Sequence, residues 1–326
     1  MPASRALLTG GAGFLGANLA RRLVADGHEV HLLLRPGSDR WRLTGLEASL
    51  AIHEGDLADP AAVAVAVASA RPRWVFHLAA HGAYSWQRDA TRMVRTNVVG
   101  FANLLDATFD AGCDAVVNTG TSSEYGAGGD RPPEGQPLRP TTHYAATKAT
   151  ATWIAAQAAH RDGRHIPTLR PYSTYGPWEE PGRLMPTLLL RALDGGWPGL
   201  ASPDSAHDFI HVDDVVDAYL LVAGARGDDP APVYNAGTGR QTALRDLVDI
   251  VAARLDVKAA PAWGAYPDRP WDTTAWVADA SRLRGLGWAP RVSLEDGVVS
   301  MAAWLAKHRD VYAARMATPP GGPGAG

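Results

Sequence analysis

Residues 5–16 read RALLTGGAGFLG. The first five make a short apolar run of strand length. Gly10, Gly13 and Gly16 then fall three apart, where a helix beginning near Phe14 would follow. Glycine at these positions allows a tight turn and lets the backbone approach a pyrophosphate, which then lies at the positive end of the helix. An ordinary strand-to-helix turn is the alternative, and the strand-turn-helix context favours phosphate binding. Gly10, Gly13, Phe14, Leu15 and Gly16 are therefore candidate cofactor contacts.

Outward from this stretch, apolar runs at 5–9, 29–34, 50–54, 73–78, 115–119 and 166–170 alternate with helix-like stretches starting near Phe14, Pro60, Asp89 and His143. Such alternation predicts an α/β fold, a Rossmann doubly wound parallel sheet. Beyond Arg170 it breaks: Pro and Gly become frequent, and shorter helices such as 212–223 and 244–255 mix with strand fragments. Residues 1–170 read as an NAD(P)-binding Rossmann domain, with some later segments returning to it. Residues 171–315 read mainly as a smaller mixed α/β substrate-binding domain, and the Pro- and Gly-rich 316–326 as a disordered tail.

At 326 residues the chain has room for a large α/β domain and a small companion. Charged residues make up 20% and the formal charge is −3, which leaves no basic excess to neutralise a nucleic-acid backbone. One cysteine, Cys113, permits no internal disulfide and fits a reducing compartment, the cytoplasm. The first residues lack the apolar core of a signal peptide, and no apolar stretch approaches the roughly 20 residues of a membrane span. No carboxylate spacing joins His77, His81, His207 and His211, so no metal is expected.

After the second strand, an NAD enzyme should carry an acidic residue for the ribose 2′-hydroxyl. Here the strand end is Leu34 and Arg35. An arginine there can pair with a 2′-phosphate, with Ser38 close enough to add a hydrogen bond, so NADP(H) is preferred and NAD(H) is the alternative. A solvated arginine at a strand end is the plainer reading. Tyr144 and Lys148, in HYAATKA, are four apart and emerge from one face of a helix. With nine tyrosines in the chain and lysine only at 148, 258 and 307, chance supplies only about 0.08 such pairs. Lys148, with the positive nicotinamide ring, would lower the Tyr144 phenol toward working pH and make it a base for a sugar hydroxyl. The fifth strand delivers Thr121, Ser122 and Ser123 to the carboxyl edge of the sheet, where they serve equally well as turn formers or as proton-handling hydroxyls.

Together these residues resemble the extended short-chain dehydrogenase/reductases, in the nucleotide-sugar epimerase, dehydratase and reductase group. Ordered motifs carry the resemblance along nearly the whole chain: GDL at 55–57, HLAA at 77–80, TNVVG around Asn97, RPYSTYGP at 170–177, HDFIHVDDVV at 207–216 and NAGTG at 235–239. The resemblance implies that Asp56 and Leu57 meet the adenine, that Leu78, Ala79 and Ala80 line the cofactor with Asn97, Pro171 and Tyr172 nearby, and that Tyr144, Lys148 and Thr121 perform catalysis. It makes Arg269, in the stretch RPWD, the first candidate for the substrate diphosphate and Arg183 the second. His81, Ser122, Ser123 and Ser173 complete the substrate candidates. Tyr84, Ser85 and Trp86 either line the sugar pocket or pack as core or lid. The chain departs from the family pattern at Ser173, usually Asn, and at His207, usually Arg.

The resemblance also narrows the reaction. Sugar-nucleotide 4,6-dehydratases follow the catalytic Thr with Asp and Glu, where this chain has Ser122 and Ser123; Glu124 stands one place later. Decarboxylases of the group keep a Glu at the position of Ser123. Simple hydride transfer at C4 is favoured, by an epimerase with tightly held cofactor or by a 4-ketoreductase using NADPH, with a 4,6-dehydratase, in which Glu124 would substitute through a shifted loop, as the less favoured alternative. Arg35 tips this reading toward an NADPH-dependent reductase of a nucleotide-linked 4-keto-(6-deoxy)hexose. Relatives dimerise through helices that here span about 89–111 and 143–161, so a homodimer is expected. A non-catalytic NADP-binding regulator is the reading from another class, and the intact Tyr-Lys-Thr trio argues against it.

Overall fold

The computed structural model describes residues 4–126, 130–265 and 275–317. The first half alternates as expected: β1 (Arg5–Thr9), α1 (Phe14–Ala25), β2 (Glu29–Leu34), β3 (Leu50–Glu54), α2 (Pro60–Ala70), β4 (Trp74–His77), α3 (Ala90–Val94), α4 (Gly100–Asp110), β5 (Ala115–Thr119), α5 (His143–Asp162) and β6 (Thr168–Pro171). The second half follows with β7 (Ser173–Tyr175), α6 (Leu184–Leu193), β8 (Ala206–His207), β9 (Phe209–His211), α7 (Val212–Gly224), β10 (Val233–Ala236), β11 (Thr242–Ala243), α8 (Leu244–Leu255), α9 (Ser281–Gly285), α10 (Leu294–Lys307) and α11 (Arg309–Ala317).

Seven strands form one sheet in the order β10-β6-β5-β4-β1-β2-β3, and every pairing in it is parallel. Strands buried on both faces need continuous apolar runs, and Ala6, Leu7 and Leu8 of β1 are wholly inside. One face is covered by α1 and α7 and the other by α2, α4 and α5, each with its own apolar cluster. The chain reverses direction between β1 and β4, which opens the crevice where ligands bind in such sheets.

β4 and β6 differ from the expected runs by a residue or two at their ends. The seventh strand, β10, comes from the second half, as does α7, which ties back to α1 through Arg22 and Asp217 at 2.6 Å. The remaining late elements pack as a third cluster built on α6, α8, α10 and α11, with two small sheets, β7 with β9 and β8 with β11. Met316 and Ala317 continue α11, so that helix runs two residues into the stretch expected to be tail; residues 318–326 lie outside the described residues.

Two of the family-like motifs turn out to be architectural. Asp208 is fully buried and accepts the Thr238 N–H and hydroxyl and the Gly239 and Ala278 N–H groups, which fixes the NAGTG turn. Asp214 accepts the Arg291 and Val292 N–H groups and so anchors the approach to α10.

Candidate active site

The glycine turn is sterically specified. Gly10 has φ +71°, and a Cβ there would lie 2.5 Å from the Ala79 nitrogen; a Cβ on Gly16 would lie 2.2 Å from the Gly10 carbonyl oxygen. Gly13 is less crowded, with only the Gly10 oxygen at 3.2 Å, and it caps α1 with no side-chain hydrogen bond and no acidic residue in the first turn. The N–H groups at that helix end are thus left for an external anion. Leu78, Ala79 and Ala80 follow β4 directly against this turn, with the Leu78 N–H on the Thr9 carbonyl at 3.0 Å. These residues fit the pyrophosphate of a dinucleotide.

At the end of β2, Arg35 is half-buried. Burial lowers its guanidinium below the usual range and Arg92 pushes the same way, while Asp56 opposes them. Leu57 is buried next to Asp56, and Ser38 closes the turn by donating its N–H to the Arg35 carbonyl. His81 belongs to this end: the charges acting on it are Arg92, Asp89 and Arg35. The sequence reading assigns His81 to the sugar. The same loop carries Tyr84, which approaches Arg183 at 5.9 Å from ring centroid to Cζ.

Asn97 is tied into the same loop. It sits in a π-turn, Arg95–Val99, fully buried, donating to the His81 carbonyl and the Thr147 hydroxyl and accepting the His81 N–H. Its amide pins the post-β4 loop to α5 and so acts on the site through that loop.

Thr142 caps α5 by accepting the Ala145 N–H at 3.1 Å, which sets the first turn that presents Tyr144 and Lys148. Thr121 caps the turn after β5: its hydroxyl accepts the Ser123 N–H at 3.3 Å, and it faces the Tyr144 phenol closely enough to lower it. It is both turn former and site hydroxyl. Burial pushes the Tyr144 phenol up to about 12, and the Glu124 carboxylate adds to this, while Arg183 and Thr121 pull it back. The expected lowering by Lys148 is not seen in the protein alone, where desolvation of the phenol is the largest effect. Lys148 is 1% exposed, its Nζ has no hydrogen-bond partner, and burial lowers it to about 8 against the pull of Glu124. Such an orphaned ammonium, in a protein that otherwise satisfies most of its buried polar groups, is a donor awaiting a ligand. The site therefore fits a nicotinamide cofactor whose hydroxyls would meet Lys148.

Glu124 cannot act as an elimination base where it stands. Both its oxygens are engaged inside the protein, by the Thr121 N–H, the Thr152 hydroxyl and Arg170, and Ser122 and Ser123 occupy the turn beside Thr121. Arg183 is the N-cap residue of α6, and its charge acts on the Tyr144 phenol. The two departures from the family pattern meet each other, Ser173 Oγ lying 3.2 Å from His207 Nδ1. Pro171 ends β6, and Tyr172 follows it buried, with its hydroxyl unpartnered. Arg269 lies outside the described residues. Sequence reasoning missed Arg92, which no motif marks, and Glu179, whose buried carboxyl has Oε2 unpartnered and is pushed up to about 8 by burial against the pull of Arg183. Among the described residues no cluster could hold a metal ion, and no helix is long and apolar enough to cross a membrane.

A dinucleotide-type glycine turn on a parallel sheet, with Tyr, Lys and Thr gathered at its carboxyl edge, defines an extended short-chain dehydrogenase/reductase. The chain belongs to the NAD dependent epimerase/dehydratase family, whose model matches residues 6–237. It is 32% identical over 305 residues to a UDP-glucose 4-epimerase of Mycolicibacterium smegmatis, covering 90% of this chain and 96% of that one. It is 31% identical to a dTDP-glucose 4,6-dehydratase of Streptomyces griseus, covering 93% and 94%. Among solved structures it is similar to the UDP-glucose 4-epimerase of Thermus thermophilus in complex with NAD (28% identity, TM-score 0.82, covering 93% and 99%). It is also similar to that of Thermotoga maritima with UDP-glucose (27% identity, TM-score 0.85, covering 93% and 99%).

Proposed function

We propose that the protein oxidises and re-reduces C4 of a nucleoside-diphosphate hexose without eliminating water, so that its net reaction is C4 epimerisation. The observation that carries this is the state of Glu124: its carboxylate is locked onto Arg170, Thr152 and the Thr121 N–H, and serines stand where a dehydratase needs its acid and base. The 4-epimerases among the relatives support the same reading and move it ahead of the ketoreductase favoured by sequence alone.

A bound nicotinamide cofactor supplies the hydride acceptor and donor. The chain's own residues handle the proton. Tyr144 takes it from the C4 hydroxyl as the carbonyl forms and returns it to O4 once the keto sugar has presented its other face. Thr121, steadied by the Ser123 N–H, faces the phenol and stabilises its charged form, and Lys148 brings positive charge toward the same oxygen. Arg183 is the described candidate for the substrate's negative charge.

One observation favours a second reading, an NADPH-dependent 4-ketoreductase. Arg35 has Arg92 and His81 as basic neighbours, a grouping suited to a 2′-phosphate. We also read the exposed apolar residues Val94, Val99, Phe109 and Trp153, the last 68% exposed, as the face of a homodimer along α3, α4 and α5. The test of the reaction is to purify the protein without added cofactor, denature it and identify the released nucleotide by mass. Near-stoichiometric oxidised NAD supports the epimerase. An empty protein that binds NADPH reversibly supports the reductase and removes the epimerase reading.

A further inference from the structure

Glu124 is fully buried at the base of the catalytic group. Its Oε1 accepts the Thr121 N–H at 2.8 Å. Its Oε2 accepts the Thr152 hydroxyl at 3.0 Å and pairs with Arg170 at 2.9 Å. Thr152 lies one turn beyond Lys148 on α5, and its hydroxyl also approaches the Lys148 carbonyl at 3.3 Å. One carboxylate thus ties together the turn that carries Thr121, the helix that carries Tyr144 and Lys148, and the strand that carries Arg170. The corner has no slack: a Cβ on Gly120 would meet Glu124 Oε1 at 2.6 Å and Arg170 Cγ at 2.9 Å. Arg170 is itself held by the Tyr125 hydroxyl, which donates to Asn235 at the end of the sheet.

Burying an ion pair is expensive, and an apolar pair of similar volume would often fold as well or better. What the ion pair adds here is direction, because hydrogen bonds to both carboxylate oxygens fix the distance between the Thr121 turn and α5. Resting on the catalytic roles given above, we propose that Glu124 is the positioning residue that holds the Thr121 hydroxyl against the Tyr144 phenol, with Arg170 as its counterion.

The arrangement has an electrostatic signature. The charge of Glu124 opposes ionisation of Tyr144 and favours the charged form of Lys148. The other groups facing this corner are Arg183 and Tyr84 across the cleft, Tyr219 on α7, His77 on β4, which feels Lys148, and Tyr125 beside Arg170.

The test is Glu124→Gln in the full-length protein, with UDP-glucose and dTDP-glucose as probes and cofactor in excess. The expected result is a kcat lower by about tenfold with KM within about twofold, since positioning is lost and substrate binding is not. The acid limb of the kcat profile should also move to lower pH by roughly half a unit to one unit, because Tyr144 loses a negative neighbour. Should that variant fail to fold, Glu124→Gln with Arg170→Gln removes both members of the ion pair and carries the kcat and KM test. Unchanged kcat, or reduced stability with an unmoved pH profile, overturns the proposal when Tyr144→Phe is inactive. An active Tyr144→Phe overturns the catalytic reading beneath it.

Discussion

Lys148→Met should stabilise the cofactor-free protein while abolishing turnover. The lysine is enclosed, its Nζ has no partner, and burial brings it from 10.5 to about 8. At 1.36 kcal/mol per unit that shift corresponds to about 3 kcal/mol of destabilisation wherever the folded protein holds the lysine charged. Methionine has nearly the same shape and no charge to desolvate, so most of that cost disappears. For a chain of 326 residues 1 kcal/mol moves the midpoint by about 1.5 °C, which gives a rise of roughly 4 °C at pH 7. The sign with pH follows from linkage. Between about 8 and 10.5 the folded protein binds fewer protons than the unfolded chain, so the wild type gains stability as pH rises through that window and the gap to the variant closes. Thermal or denaturant unfolding at pH 7, 8, 9 and 10 measures it, and added dinucleotide should raise the wild-type midpoint more than the variant's. A variant less stable at pH 7, or a gap that does not change with pH, would refute the view that Lys148 is an uncompensated buried charge kept for a ligand.

Other outcomes follow from the same geometry. Gly16→Ala should cost about 3 kcal/mol without cofactor because its Cβ meets only backbone, whereas Gly13→Ala should leave the unfolding midpoint nearly unchanged and weaken dinucleotide binding; equal effects on both would contradict the steric account. If the basic group at the end of β2 reads a 2′-phosphate, Arg35→Ala and Arg92→Ala should each weaken NADPH at least tenfold more than NADH, as titrated by cofactor fluorescence, and equal losses would remove the NADPH reading. Trp153→Glu on the exposed face of α5 should convert a dimer to monomer in light scattering, and an unchanged mass would place the interface elsewhere.

The sheet was legible because parallel strands buried on both faces are largely apolar, as β1 and β5 are, and β1, β2, β3 and β5 match their expected limits, although β3 is a half-exposed edge strand. The glycine turn was legible for a related reason: backbone atoms crowd Gly10 and Gly16, so sequence and sterics carry the same message. β10 was harder. It is four residues long and lies after the alternation has broken, and only its pairing with β6 makes it part of the sheet. The setting of His81 and Asn97 was not legible because the loop after β4 has no periodicity to orient it, and its path is set by hydrogen bonds from Asn97 to His81 and to Thr147, the latter fifty residues away. The place of Glu124 was invisible for the same reason. A capping turn and a distant arginine decide where its carboxylate points, and spacing from Thr121 alone leaves it looking like a displaced catalytic acid.

The central claim is that C4 is the reacting carbon and that no water leaves the sugar. The most direct measurement incubates the protein and NAD with UDP-glucose and dTDP-glucose and follows the sugar protons by NMR. The account predicts the C4 epimer with the C6 hydroxyl intact, and its disappearance in Tyr144→Phe; a 4-keto-6-deoxy product from either substrate would contradict it.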